Sequence, residues 1–230
     1  VFFIFAIGVL FVSVGDQAQF GSDYAVIGLT YGFVLTVLIV GIGLASGGHF
    51  NPAVTLGAIV MKKISAVDGI IYMLAQLSGG VLGALLTKSL LLDEGRAANY
   101  GAATVSPLLA GNFAGMVVEA LGTFALVLVI LAVAMGAKAI KDWAPLAIGL
   151  TFGVIGMVFG PLTGASVNPA RWFGPALVSG EWGGVWPYLV GPIVGALLAV
   201  AFFKFVIVKG EADAGGPPIE PPTPASGGKV

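Results

Sequence analysis

Charge is missing from most of this chain, and where it is missing decides what the chain can become. No Asp, Glu, Lys or Arg occurs between Asp23 and Lys62, between Asp68 and Lys88, between Glu119 and Lys138, between Asp142 and Arg171, or between Glu181 and Lys204. A helix that crosses the hydrocarbon core of a bilayer needs about 20 mostly apolar residues, and each interval can hold one. A soluble core has no use for so many. Only 9% of the 230 residues are charged and 58% are hydrophobic, against roughly 25% charged in an ordinary soluble domain. The lipid bilayer is therefore an expected partner. The net charge of −1 gives no reason to expect a nucleic-acid partner. The absence of cysteine removes disulfides, thiolate catalysis and Cys-based metal sites.

Six spans are predicted: Val1–Val14, Tyr24–Ala45, Gly69–Leu91, Phe113–Gly136, Ala144–Phe159 and Val185–Val208. The first is too short to cross, and the chain does not begin with Met, so a natural N-terminus ahead of Val1 is expected. Residues 211–230 are rich in Pro and Gly and are expected to form a disordered cytoplasmic tail. Glycine is heavily used, with 36 copies. In membrane helices small residues let backbones approach closely, and Gly28 and Gly32, Gly79 and Gly83, Gly149 and Gly153, and Gly191 and Gly195 are each one helical turn apart.

Lys62, Lys63, Lys138, Lys141 and Lys209 fall on one side of such a chain. Asp16, Asp23, Asp93, Glu94 and Glu181 fall on the other, with Lys88 and Arg96. The excess of basic residues marks the first side as cytoplasmic and places both termini there.

An internal repeat narrows the architecture further. IGLTYG at 27–32 recurs as IGLTFG at 148–153. SGGHFNPA at 46–53 recurs as TGASVNPA at 163–170, and VLGALL at 81–86 as IVGALL at 193–198. The order is the same in both halves. Each half holds three spans, an odd number, so the second half enters the membrane upside down, a plan common among membrane transport proteins. The predicted fold is an all-α membrane protein with six transmembrane helices, two re-entrant half-helices and an inverted 3+3 repeat. Residues 1–91 form the first half, 92–112 an extracellular connection, and 113–210 the second half.

Asn51-Pro52-Ala53 and Asn168-Pro169-Ala170 occupy equivalent places in the repeat. Asn is a favoured N-cap, and Pro suits the first helical position. Each following stretch is too short to span, so the two would enter from opposite faces and meet near the midplane. Non-helical backbone at that depth is tolerated only beside protein or a water-filled cavity. Each helix N-terminus carries roughly half a positive charge, which repels cations. Each Asn oxygen would cap its own helix and leave its NH2 free to donate to a passing oxygen. Such an arrangement favours neutral solutes over cations and hopping protons.

These motifs resemble the aquaporin and glycerol-facilitator superfamily, most clearly in SGGHFNPAVTLG (46–57) and LTGASVNPARWFGP (162–175). EALGTF (119–124), APLAIGL (144–150) and VGPIVGALLA (190–199) are similar to it too, and the likeness runs from residue 1 to about 208. The resemblance implies a homotetramer with one pore per subunit; no cofactor or enzymatic activity is expected, and no metal, because His49 is the only histidine. It assigns Arg171 to a narrow outer filter with Tyr31, Gly156 and Ala165. An arginine at membrane depth is a functional hypothesis in its own right. Glu119 is either a helix-end group near lipid headgroups or, by the resemblance, a buried brace for the loop before the second half-helix. His49 is either a satisfied interior histidine or a polar group lining the cytoplasmic half of the pore.

A passive channel for water in the plasma membrane is the expected function, with small neutral solutes such as glycerol, urea or ammonia. Gly156 and Ala165 add almost no bulk, which predicts a wider filter than that of a strict water channel. Glycerol facilitators, by the same resemblance, carry a second aromatic where Ala165 stands and an Asp where this chain has Trp172. A glycerol or small-solute facilitator, a secondary transporter and a junction protein are the alternatives.

Overall fold

The structure, a computed structural model, describes residues 20–136 and 139–209. The predicted first span and the tail from 211 onward lie outside the described residues. The described chain is helical: α1 (Phe20–Ser46), α2 (Pro52–Val60), α3 (Ala66–Leu90), a short α4 (Leu92–Ala97), α5 (Gly111–Ile130), α6 (Ala144–Thr163), α7 (Pro169–Ser179) and α8 (Val185–Phe202). α5 and α8 each continue into wider π-helical turns, over Leu131–Met135 and Phe203–Val208. Five helices among the described residues are long and apolar enough to cross a membrane. The chain is a multi-pass membrane protein.

Some boundaries differ from the sequence reading. α3 starts at Ala66 because the Ser65 hydroxyl accepts the Asp68 backbone N–H, which caps the helix earlier than hydropathy indicates. α6 runs past Phe159, through Pro161, and stops only where Gly164 takes a left-handed φ of 72°. The connection at 92–112 is not all loop: it contains α4 and a turn over Asn99–Gly101.

Three helix pairs build the frame: α1 on α6, α5 on α8, and α3 on α7. Small residues set how closely each pair approaches. A Cβ on Gly32 would stand 2.8 Å from the Gly149 carbonyl oxygen, and one on Gly191 would stand 2.8 Å from that of Met116. Among the four glycine pairs read from the sequence, Gly79 behaves differently: no described atom lies within 4 Å of a Cβ built there. On α3 the close approach is made by Gly80, against the Ala170 carbonyl. Leu29, Phe33, Val37, Leu74, Leu82 and Phe205 stay exposed, an apolar outer surface suited to lipid.

α2 and α7 have 9 and 11 residues. At 1.5 Å rise per residue they are about 14 and 17 Å long, half of a hydrocarbon core of about 30 Å.

Candidate pore and constriction

The two short helices begin in the same way. Asn51 and Asn168 both have extended backbone, with φ of −152° and −156°, and Pro occupies the first helical position of each. Asn51 Oδ1 accepts the Ala53 N–H at 2.9 Å. Asn168 Oδ1 accepts from Ala170 at 2.9 Å and from Arg171 at 3.3 Å. So far this is the local capping that the residue types require.

The amide nitrogens depart from expectation. Asn51 Nδ2 donates to the Val167 carbonyl at 2.8 Å, and Asn168 Nδ2 donates to the Phe50 carbonyl at 3.0 Å. The NH2 groups are therefore not wholly free. Each gives one hydrogen to the loop before the opposite half-helix and keeps a second. Phe50 and Val167, the residues just before the two asparagines, hold positive φ of 49° and 41°. Such backbone costs about 1–2 kcal/mol for a residue other than glycine, and it turns each carbonyl toward the other loop. The two helix N-termini thus meet as a reciprocally bonded pair. Sequence alone gave no sign of this, because a β-branched Val is a poor candidate for left-handed backbone.

Glu119, on α5, is fully buried. Its carboxyl accepts from the Thr163 hydroxyl at 2.6 Å, from the Ser166 N–H at 2.9 Å and from the Val167 N–H. All three donors belong to the segment leading into α7, so the carboxyl sits away from the helix end and grips this loop. The Tyr188 hydroxyl on α8 donates to the Thr163 carbonyl at 2.9 Å. Neither Thr163 nor Tyr188 stood out in the sequence. His49 holds the matching place before α2. Its Nδ1 lies 3.1 Å from the Thr55 hydroxyl, which also accepts from Gln76 Nε2 at 2.9 Å. The His49 ring packs against Tyr72 at 5.5 Å.

A cavity of about 570 Å³ runs beside the paired N-termini. Its wall includes His49, Asn51, Lys141, Phe152, Asn168 and Arg171. Most of the remaining lining is aliphatic, from α1, α5 and α6. His49 thus lines the cavity while its ring nitrogen lies within hydrogen-bond distance of Thr55.

Arg171 extends from the first turn of α7, where Nη2 donates to the Tyr31 hydroxyl at 3.0 Å. The Tyr31 ring stacks on Phe152, 5.2 Å between centroids. A Cβ on Gly156 would stand 3.3 Å from the Tyr31 ring and 3.0 Å from the Gly28 Cα. The Tyr31 ring thus packs close to the bare backbone at 156. Ala165 is fully buried, with φ of 45°, in the loop next to the Arg171 end. Trp172 points away from this group, into a cluster with Tyr188 and Trp182.

Residues 1–203 match the family described as major intrinsic protein. The chain is 38% identical over 189 residues to the probable aquaporin TIP2-2 of Oryza sativa subsp. japonica, covering 80% of this chain and 73% of that protein. It is 37% identical over 180 residues to Nodulin-26 of Glycine max, covering 78% of this chain and 65% of the relative. Among solved structures, the aquaglyceroporin from Plasmodium falciparum superposes with a TM-score of 0.73 at 25% identity, covering 90% of this chain and 95% of that one.

Proposed function

The chain belongs to the major intrinsic protein family, and on that premise we propose that it is a passive channel for water and small neutral solutes. The observation that carries this reading is the meeting of two Asn-capped half-helix N-termini beside a cavity that reaches both asparagines. Each N-terminus contributes about half a positive charge, and Arg171 adds a full one at the end of the path. A cation leaving bulk water meets this field in a low-dielectric wall. A neutral molecule meets amide N–H donors that replace lost hydration. A water that accepts from the remaining asparagine hydrogens directs its own protons outward, so a proton wire is interrupted there.

In this reading Asn51, Pro52, Ala53, Asn168, Pro169 and Ala170 form the central pore. Tyr31, Gly156, Ala165 and Arg171 form the filter, His49 lines the cytoplasmic half, and Glu119 holds the second loop. The protein assembles as a homotetramer in a cell membrane, with its basic loops and both termini in the cytoplasm. Its two inverted halves, 1–91 and 113–210, are joined by an extracellular connection. A coupled transporter would need titratable groups free to bind and release an ion. Glu119 is committed to three hydrogen bonds in the loop, which favours the passive reading.

Stopped-flow light scattering on proteoliposomes tests it. Vesicles holding the full chain should shrink under an osmotic gradient faster than protein-free vesicles, without any driving ion. Planar-bilayer current should not scale with protein content, and an entrapped pH dye should report no proton leak. Current or proton flux in proportion to protein would remove the neutral-solute reading. Parallel glycerol, urea and ammonia gradients identify the solutes that accompany water.

A further inference from the structure

His49 is the only histidine in the chain, and the hydrogen bonds around it decide which ring nitrogen carries the proton. Nδ1 lies 3.1 Å from the Thr55 hydroxyl. Gln76 Nε2 on α3 donates to the same hydroxyl at 2.9 Å, and the hydroxyl reaches the Asn51 carbonyl one helical turn back at 3.2 Å. Thr55 is fully buried, so these three neighbours must satisfy it. A hydroxyl has one proton and two lone pairs. The carbonyl can only accept, and takes the proton. The amide NH2 fills one lone pair, and only an Nδ1–H can fill the other. Were Nδ1 to take the proton instead, the carbonyl contact and one lone pair would be left empty in a dry place. Turning the Gln76 amide over changes nothing for the ring, because its Oε1 would then take the proton and Nδ1 would still have to donate.

We propose that Thr55 and Gln76 are positioning residues that hold His49 as the Nδ1–H tautomer and so present Nε2 to the cavity as a fixed hydrogen-bond acceptor. In a neutral imidazole a proton on one nitrogen makes the other an acceptor. Nε2 points toward Gly47, where a Cβ would stand 3.5 Å from it. Gly47 and His49 line the same cavity as Asn51 and Asn168. The Tyr72 ring, 5.5 Å away, packs on the imidazole and limits its turning. The part of Nε2 in conduction rests on the channel reading given above. The asparagine amides donate into the cavity and Nε2 accepts from it, so polarity alternates along the wall. A molecule between them passes at low cost by accepting at one end and donating at the other. Water does so with one oxygen. A neutral solute without an N–H or O–H group leaves Nε2 unpaired.

The test is ¹⁵N NMR on the full chain, labelled at histidine and reconstituted in lipid vesicles at neutral pH, where the lone histidine gives unambiguous signals. Nδ1 should show a directly bonded proton and Nε2 none. Thr55→Val keeps the shape of the side chain and removes the hydroxyl. The proton should then move to Nε2 in a detectable share of molecules, and water permeability per channel should fall about two- to tenfold, the effect of one hydrogen bond. Thr55→Ser restores the hydroxyl and should keep the wild-type tautomer and flux. Gln76→Leu frees one lone pair of Thr55 and should give a mixture of tautomers. It serves as the second reading should Thr55→Val fold poorly. A wild-type Nε2 that carries a proton overturns the proposal, as does a Thr55→Val protein with wild-type tautomer and flux. A changed tautomer with unchanged flux overturns the part of Nε2 in conduction alone. Wild-type vesicles that shrink no faster than protein-free ones overturn that part together with the channel.

Discussion

Glu119 uses both carboxyl oxygens on donors from the end of α6 and the loop that follows it. Replacing it with Leu strands the Ser166 and Val167 N–H groups in a dry interior, at about 1–3 kcal/mol each. Glu119→Leu should therefore yield little detergent-stable protein, with thermal denaturation monitored by circular dichroism as the measurement. Glu119→Gln should fall between, since its oxygen can still serve Thr163 and Ser166 while its NH2 faces the Val167 N–H. A Leu variant as stable as wild type would show that the grip is dispensable. The asparagines invite a double-mutant comparison. Each Ala substitution removes a cap worth about 1 kcal/mol and a cross-loop bond worth about 0.5–1.5 kcal/mol. The two bonds join the same pair of loops, so once one is lost the other holds less. The losses in Asn51→Ala/Asn168→Ala should be smaller than the sum of the single losses. Strict additivity in thermal stability would mean that the loops do not act as a unit.

Helix pairing in this chain depends on close backbone approach, since lipid removes the hydrophobic drive that brings helices together in water. The crossing of α1 and α6 is the clearest instance. The Gly32 Cα side faces the Gly149 carbonyl oxygen, a Cβ there would come within 2.8 Å of it, and backbone cannot step aside as a flexible side chain does. Gly32→Leu should separate the helices and cost about 1–3 kcal/mol or more. The same displacement would carry Tyr31, one residue away, off Arg171. The expected result is lower thermal stability together with altered water flux. Wild-type stability would show that the crossing has slack. The half-helices rely on different means. α7 ends at Gly180 in left-handed backbone with φ of 79°, while the Val60 carbonyl in the last turn of α2 is met by Lys204 Nζ at 3.1 Å. A cation from the π-helical continuation of α8 thus complements the negative end of α2.

For the protein as a unit, absence of cysteine carries a simple consequence. Mercurials attack thiolates, and this chain has none. Water flux through vesicles containing it should be unchanged by mercuric chloride under conditions that block a thiol-lined pore. Reversible, thiol-dependent inhibition would contradict this.

The five described spans and the paired half-helix starts were legible in the sequence because each rests on local physics. Long apolar intervals are stable only in lipid, and an Asn-Pro pair caps the helix it begins within one turn. What tertiary structure alone decided lies between residues far apart in the chain. Asn51 reaches a carbonyl 116 positions away, and Arg171 reaches a hydroxyl 140 positions away. Gly156 illustrates the difference well. The residue type says only that it adds no bulk, and the register of α6 against α1 sets the Tyr31 ring beside it. Whether a missing side chain leaves a gap depends on what the neighbouring helix brings to that level. Crossing distance and register are set by packing along the whole helix, and no short stretch of sequence encodes them.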